Sequence, residues 1–412
     1  MNLPAALDSG ALLGHRPFVL FWFTRVSTII GYQMLTVAVG WQVYALTASA
    51  LDLGLIGLVQ FLPAVLLLLL AGHVADRYDR RRIAGACQAI EAVLALLLMV
   101  GSAKGWITEH VIFALVFVLG AVRAFETPAL QALLPALVPA QLLPRAVAAS
   151  STAVQTAIIV GPAVGGLLYI AGPAWAYAVC AVMFATASVL TRFIDHERAL
   201  PPREPATLKS VFAGLSFIRG RQAIMGAITL DMVAVLLGGV TALLPIYAKD
   251  ILHTGPSGLG LLRSAPAIGA LTVALYLSRH PLQRRAGRTM FAAVAVFGAM
   301  TIVFGLSRWF PLSLAALVLL GASDMISVVV RSSLIQLGTP DVMRGRVSAV
   351  NSMFIGTSNQ LGEFESGVTA AWLGTVPAVV LGGIGTLLAV MLGMRLFPQL
   401  ARIDRLESVR HV

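Results

Sequence analysis

One stretch decides the fold: Gly72-His73-Val74-Ala75-Asp76-Arg77-Tyr78-Asp79-Arg80-Arg81-Arg82-Ile83. An uncharged run over residues 53–72 ends here in a cluster of two aspartates and four arginines. The cluster cannot follow the run into hydrocarbon, so it must lie in water at the end of a membrane span. Because basic residues are retained on the cytoplasmic side, this end of the span is predicted to face the cytoplasm.

The composition of the chain excludes a soluble protein. Its 412 residues are 58% hydrophobic and 11% charged, with a mean hydropathy of +0.89, whereas soluble domains carry about 25% charged residues. The net charge of +11 comes from basic residues in short loops between apolar runs, so membrane orientation explains it and no nucleic-acid partner is expected. Cys87 and Cys180 lie inside apolar runs and are interpreted as small core residues.

The apolar runs predict an all-α integral membrane protein with twelve transmembrane helices, because one span needs about 20 residues. Residues 146–191 contain no charge and are divided by Gly172-Pro173, while Gly374 and Pro377 divide residues 366–394. Residues 1–16 lack the features of a cleavable signal peptide, so the first span is expected to be retained. The predicted spans are 17–45, 53–72, 83–102, 108–131, 146–170, 174–192, 222–247, 257–278, 288–307, 311–335, 346–371 and 376–396.

The polar segment 192–221 divides the predicted spans into two six-helix halves, 1–191 and 222–412. With both termini inside, 22 of the 29 basic residues fall on the cytoplasmic side, three fall outside and four lie within spans. This asymmetry predicts that the termini and the segment 192–221, interpreted as a linker, are all cytoplasmic.

The two halves repeat. A shift of 201 residues places Gly120 on Gly321 and Pro139 on Pro340, and the same shift places Arg145, Gly161 and Gly166 on Arg346, Gly362 and Gly367. A repeat with the same in–out sense is what parallel repeats in transporters predict.

The pattern G-x-x-x-D-R-x-D-R-R-R resembles the loop between helices 2 and 3 that is typical of the major facilitator superfamily. The resemblance implies a major facilitator fold, in which this loop latches the two halves together on the cytoplasmic side. The alternative is a simple orientation signal. Gly72 is expected to allow close helix approach, and Asp79 stands where many family members carry Gly. The latch residues are Gly72, Asp76, Arg77, Arg80 and Arg81.

A second motif, Gly161-Pro162-Ala163-Val164-Gly165-Gly166, lies in the fifth span. It resembles the end of the exporter motif of drug–proton antiporters in the superfamily, where it is linked to antiport by sealing the cavity against leak. Pro162 frees a backbone carbonyl and bends a helix, and the glycines Gly161, Gly165 and Gly166 allow tight packing. The alternative is an ordinary packed kink.

A third motif, Leu119-x-x-x-Arg123-x-x-Glu126-Thr127, lies in the fourth span. It resembles the helix-4 motif of the family, whose arginine is implicated in proton coupling. Arg123 and Glu126 are three residues apart and can share a helix face. A charge inside a span is costly and usually faces a cavity or a partner. The pair is therefore either a proton-coupling site or a structural ion pair without a part in transport.

Asp231, Asp324 and Arg331 complete the set of proton-coupling candidates. The shift of 201 residues superposes Asp324 on Arg123, so the halves place opposite charges at equivalent depths. Asp324 is preferred to Glu126 because it lies nearer the middle of its span, and Asp231 is the reserve candidate. Arg331 follows Asp324 by seven residues and either pairs with it or joins the coupling.

Other charges within spans bear on the same question. Glu363 and Glu365, in the eleventh span, are expected to point to different faces, and one of them would carry the coupling if the preferred carboxylates do not. Arg25 is expected to extend to the cytoplasmic end of the first span. Glu91, in the third span, has no evident partner in the sequence.

Further stretches narrow the resemblance: residues 75–81, 208–218 and 337–347 are similar to the secretion-effector branch of the superfamily, which contains the enterobactin exporter. This resemblance implies export of a siderophore- or drug-like small molecule across the bacterial inner membrane by alternating access and proton antiport. A non-transporting sensor or assembly partner of the same fold, and an importer, remain alternatives.

The absence of other motifs bears on the energy source. The sequence contains no G-x-x-x-x-G-K-[S/T] phosphate loop, no H-E-x-x-H, no nucleophile elbow and no Cys/His cluster. We therefore expect no ATP hydrolysis, no enzymatic activity, no catalytic residues and no metal or cofactor. The expected partners are the solute, protons and the lipid bilayer, and the protein is expected to be a monomer.

Overall fold

The computed structural model describes residues 12, 14–195, 208–282 and 284–404, apart from the side chains of residues 68–69, 73, 75–76 and 208–211. Within these ranges all regular secondary structure is helical. Two compact units can be distinguished. The described residues up to Val39 and those of 59–195 form the first unit, and Gly40–Leu58 joins the residues from 208 onward in the second.

Seven helices precede the predicted linker. The first two of them, α1 and α2, are each shared between the units, since Gly40–Leu58 belongs to the second. The seven helices are α1 (Arg16–Thr47), α2 (Ala50–Leu66), α3 (Leu68–Arg77), α4 (Arg80–Lys104), α5 (Glu109–Leu137), α6 (Leu143–Ile170) and α7 (Pro173–Arg192).

The remaining helices all belong to the second unit. Between α9 and α10 the chain forms 3-10, α and π turns in succession over Val240–Leu243, Leu244–Ile246 and Tyr247–Ile251. The helices are α8 (Leu208–Arg219), α9 (Gln222–Leu237), α10 (Gly255–Arg279), α11 (Ala286–Leu306), α12 (Phe310–Gly338), α13 (Asp341–Leu373), α14 (Thr375–Leu396) and α15 (Pro398–Arg402).

The predicted helix boundaries follow from local chemistry. The break at Gly172-Pro173 is confirmed: Gly172 has φ +115°, which a side chain disfavours, and Pro173 occupies the first turn of α7. The same holds at Gly374, which has φ +91° and separates α13 from α14. Thr108 caps α5 by accepting a hydrogen bond from the Val111 N–H.

Ten helical segments are long and apolar enough to cross a membrane, by length and composition, within the described residues. Two predicted spans are not among them. The second span is divided at Leu67 into α2 and α3, and Pro63, which cannot donate a backbone hydrogen bond, lies four residues before the break. The eleventh span corresponds to α13, whose 33 residues are long enough but include several charged and amide side chains. The all-helical membrane fold is confirmed, with twelve spans as the sequence-based count.

The charged stretch that opens the sequence differs from the predicted loop. Helix α3 continues through Asp76 to Arg77, and α4 begins at Arg80, so Tyr78 and Asp79 alone separate two helices. Asp79 caps α4, since its carboxylate accepts a hydrogen bond of 2.9 Å from the Arg81 N–H. The residue that departs from the family pattern thus serves as a helix cap.

The predicted linker 192–221 includes a helix. Residues 196–207 and the ends of the chain at 1–11 and 405–412 lie outside the described residues, but α8 occupies Leu208–Arg219. Ile218 is buried in a cluster with residues of α9, α12 and α13, among them Ile224 and Val347. A hydrophobic face therefore anchors the end of the predicted linker within the second unit.

Separate hydrophobic clusters stabilise the two units. In the first, Phe21, Leu133 and Ile194 pack together with residues of α4 and α5. In the second, Met290, Phe291 and Leu334 belong to a cluster that joins α9, α11, α12, α14 and α15. Cys87 and Cys180 are buried and unpaired, as the interpretation of both as core residues predicted.

Candidate functional site

The first unit holds Arg123 between two carboxylates. Arg123 Nη1 lies 3.5 Å from Glu91 Oε1 and 3.6 Å from Glu126 Oε2. Glu91 is 0% exposed and Glu126 is 1% exposed. Helix α4 carries Glu91, and α5 carries the other two residues on one face, as their spacing of three predicted. The predicted ion pair is therefore present, and it is one side of a three-residue cluster.

Glu91 is the member of this cluster that sequence reasoning missed. Its Oε2 atom is buried and has no hydrogen-bond partner within the described residues. A glutamate inside a span is a functional candidate on energetic grounds alone, but its partners lie 32 and 35 positions away along the chain. Only the packing of α4 against α5 reveals them.

Amide and hydroxyl side chains extend the cluster. Gln88 donates a hydrogen bond of 3.1 Å to Glu126 Oε1, and Gln88 Oε1 accepts one of 2.8 Å from Thr191. Thr28 also lies 3.4 Å from the Gln88 amide nitrogen. These polar groups are buried, and each one that is paired avoids the cost of desolvation without a partner. The network joins α1, α4, α5 and α7.

Tyr32 of α1 covers the other side of Arg123. The guanidinium carbon lies 3.7 Å from the centre of the Tyr32 ring, which is a cation–π contact. The Tyr32 hydroxyl accepts a hydrogen bond of 2.9 Å from Gln60. A movement of α1 would therefore change the environment of the arginine directly.

Arg25 of α1 interacts electrostatically with Glu126, and its extension toward the cytoplasmic end of the span stays a prediction. Its Nε atom is buried and lacks a hydrogen-bond partner among the described residues. The first unit therefore contains Arg123 with two glutamates in one buried cluster, and the charge of Arg25 acts on Glu126.

In the second unit, Arg331 pairs with a different aspartate from the one predicted. It forms an ion pair with Asp231 of α9, not with Asp324. Ser327 donates a second hydrogen bond, of 2.9 Å, to Asp231. Asp231 and Arg331 are 4% and 3% exposed, so the pair is fully desolvated.

Asp324 is a neighbour of this pair without joining it. It lines a small cavity of about 10 Å³ together with Asp231, Ser323 and Ser327, which is room for about one water molecule. Within the described residues it forms no ion pair. The structure thus brings Asp231, Asp324 and Arg331 to one region of the second unit.

Glu363 and Glu365 point to different faces of α13, as predicted. The side chain of Glu363 packs around Gly57 of α2, so that a Cβ at Gly57 would lie 2.8 Å from Glu363 Oε2. Its charge interacts with that of Arg263 in α10. Glu365 accepts a hydrogen bond of 2.9 Å from Thr369 of the same helix.

The predicted latch residues lie at the junction of α3 and α4. Arg80 donates a hydrogen bond to the Ala132 carbonyl and Arg81 to the Ile194 carbonyl, at 3.3 and 2.9 Å. A Cβ at Gly72 would meet no described atom within 4 Å, so the close helix approach expected there is absent from the described residues. The side chain of Asp76 lies outside the description, and its role as a latch stays a prediction.

The glycines of the exporter-like motif pack α6 against α1. A Cβ at Gly161 would lie 2.6 Å from Gln33 Cβ, and one at Gly165 would lie 2.8 Å from Met34 Cα. Gly166 is buried as well, and α6 continues through Pro162. The tight packing that the sequence predicted is therefore present, while its link to antiport stays a prediction.

Long apolar helices in two units, each with a buried charge cluster, define a membrane transporter of the major facilitator type. The chain belongs to the transmembrane secretion effector family, which its residues 9–411 match. No group of three or more metal-ligating side chains occurs among the residues described.

Similar proteins are exporters, and similar structures are transporters. Enterobactin exporter EntS of Citrobacter koseri is 27% identical over 399 residues, which cover 96% of this chain and 95% of that protein. EntS of Escherichia coli O1:K1 is 26% identical with the same coverage. A bacterial homologue of the human lysosomal transporter Spinster, inward-facing and unoccupied, has a TM-score of 0.74 at 12% identity, covering 94% of this chain and 98% of that one. A D-xylose–proton symporter has a TM-score of 0.67 at 15% identity, covering 93% and 98%. At these identities the two structures show the fold alone.

Proposed function

We propose that this protein exports a small molecule, siderophore- or drug-like, across the bacterial inner membrane in exchange for protons. The observation that carries the proposal is the buried cluster of Glu91, Arg123 and Glu126 in a member of the secretion effector family. In this proposal the protein is a monomer with two six-helix halves and cytoplasmic termini.

Proton exchange follows from the chemistry of the cluster. Burial in a medium of low dielectric constant favours the protonated form of a carboxyl group, and a nearby arginine opposes that effect. A change in the distance between Arg123 and its carboxylates during alternating access would therefore change their affinity for a proton. Such a difference between states is what coupling requires, since a ligand shifts an equilibrium only through differential affinity. The Asp231–Arg331 pair with its neighbour Asp324 offers the same chemistry in the second unit.

Export as the direction is supported by the packed glycines of α6 and by relatives named as enterobactin exporters. Enterobactin is therefore the first solute to test, with ethidium as a drug-like second. Purified protein in liposomes should accumulate radiolabelled enterobactin when the lumen is acidic, and a protonophore should abolish the accumulation.

Substitutions in the cluster of Glu91, Arg123 and Glu126 test whether it couples transport to protons. We expect Glu126→Gln to lose accumulation driven by the pH gradient while keeping solute exchange without a gradient. Glu109→Gln, at the start of the same helix and outside the cluster, is the matched control and should behave as the wild type. Accumulation that is independent of the gradient would refute proton antiport. Absence of transport for both solutes would refute these substrate classes, and a rise of internal enterobactin in cells expressing the protein would indicate import.

A further inference from the structure

We propose that Glu91 is a proton-binding residue of this transporter and that it shares its proton with Glu126. The inference rests on the proposed function and deepens it, because it names the atom group that holds the ion. No motif in the sequence marks Glu91. The case is made by its burial, its partners and the count of charges around it.

Burial makes an ionised Glu91 expensive. The residue is 0% exposed, and Oε2 has no donor within the described residues. A buried carboxylate oxygen without a donor loses the hydrogen bonds that water gave it and gains none. Protonation removes the charge and turns the carboxyl group into a donor.

The count of charges leads to the same conclusion. A single guanidinium nitrogen, Arg123 Nη1, forms ion pairs with both carboxylates, at 3.5 Å from Glu91 and 3.6 Å from Glu126. Two like charges on one cation repel each other, and this favours a proton on one of the two. One proton on either carboxyl group removes this repulsion.

The surroundings decide which carboxyl group keeps the proton. Glu126 accepts a hydrogen bond from the Gln88 amide and interacts with the charge of Arg25. Both interactions favour its ionised form. Glu91 has neither of these; its hydrogen bond among the described residues is a long one of 3.5 Å from Arg123, and we therefore place the proton on Glu91. The other titratable groups that face the pair are the phenol of Tyr32, which stacks on Arg123, and the thiol of Cys87, whose neighbours include both glutamates.

A movement of helix α1 would release the proton from Glu91. Tyr32 and Arg25, both on α1, contact Arg123 or act on Glu126. A movement of α1 that brings the guanidinium closer to Glu91 stabilises its carboxylate and expels the proton. A movement in the opposite sense raises proton affinity again.

Infrared spectroscopy of the purified full-length protein in lipid tests this proposal without any solute. A protonated carboxyl group absorbs as a C=O stretch that an ionised carboxylate lacks. We expect a band at neutral pH that shifts in deuterated water, disappears in Glu91→Gln and titrates away as the pH rises. The control variant Glu109→Gln, at the start of α5 and outside the cluster, should keep the band.

A second variant keeps the test decisive if Glu91→Gln fails to fold. In Glu126→Gln the neighbouring carboxylate is gone, so the C=O band of Glu91 should shift in frequency or be lost. A band that is unchanged in Glu126→Gln, or in folded Glu91→Gln, would overturn the proposal. Because no transport is measured, these outcomes are separate from failure of enterobactin export or of antiport in liposomes.

Discussion

At the scale of single residues, Arg331 illustrates how spacing along one helix misleads. The sequence offered Asp324, seven positions earlier in α12, as its partner. Seven residues of α-helix rise by about 10 Å, which is too far for an ion pair along one face. Asp231 comes from α9 and reaches Arg331 across the helix interface. A residue on another helix is thus the closer neighbour.

We expect removal of Arg331 to destabilise the protein strongly. Arg331→Met leaves Asp231 buried without its cation, which costs about 3–5 kcal/mol for a desolvated charge. Thermal and denaturant unfolding of the detergent-solubilised protein measure the loss. The double variant Arg331→Met/Asp231→Asn should regain much of it, and Arg284→Met, an exposed arginine of the same unit, should change little. Equal losses in the single and double variants would contradict the pairing.

At the scale of elements, α13 shows how a polar helix is held in an apolar protein. Its Gly367 approaches Gly54 of α2 so closely that a Cβ at Gly367 would lie 2.6 Å from Gly54 Cα. Gly362 of the same helix packs on the backbone of α9. Close backbone approach through small residues stabilises helix pairs where water is absent, and it compensates for the low apolar content of α13.

A matched pair of substitutions in α13 tests this contact. Gly367→Ala should destabilise the protein by about 1–3 kcal/mol, because the added methyl group meets backbone that cannot move aside. Gly356→Ala has open space in the described residues and should be neutral or stabilising by up to about 1 kcal/mol through helix propensity. The difference between the two unfolding midpoints is the measurement. Similar values for both would rule out a tight α2–α13 contact.

Helix α3 sharpens the test of the predicted latch. Asp76 lies in its last turn, where the helix dipole disfavours a negative charge by about 0.3–1 kcal/mol. Asp76→Asn should therefore leave stability unchanged or slightly raised. If Asp76 nevertheless acts as a latch, transport in liposomes should fall. Wild-type transport by Asp76→Asn would leave the motif as an orientation signal.

At the scale of the whole molecule, the charge bias predicts the orientation. The 22-to-3 asymmetry of basic residues was counted from the sequence alone, and it predicts that residues 192–221 lie inside the cell. A Pro205→Cys variant should not react with an impermeant thiol reagent added to intact cells. Lys104→Cys, predicted outside and exposed in the structure, is the positive control, and the native cysteines Cys87 and Cys180 are buried. Labelling at 205 would overturn the topology and the direction of export.

The succession of apolar runs along the sequence, with the residues that separate them, was sufficient to determine the class of protein. Apolar runs must become helices in lipid because every backbone group needs an internal hydrogen bond. Ten of the predicted spans, the breaks at Gly172 and Gly374 and the membrane class therefore follow from the chain itself. The motif around Arg123 also identified one ion pair correctly, since three residues along a helix lie on one face.

Only the tertiary structure decided which buried residues on different helices contact each other. Glu91 acquired partners from α5, Arg331 acquired Asp231 from α9, and Glu363 came to lie beside Gly57 of α2. These contacts join residues separated by 32 to 306 positions, and no local pattern encodes the rotation of one helix against another. That rotation is set by small residues and packed side chains along each helix interface, and these interfaces form only when the helices assemble.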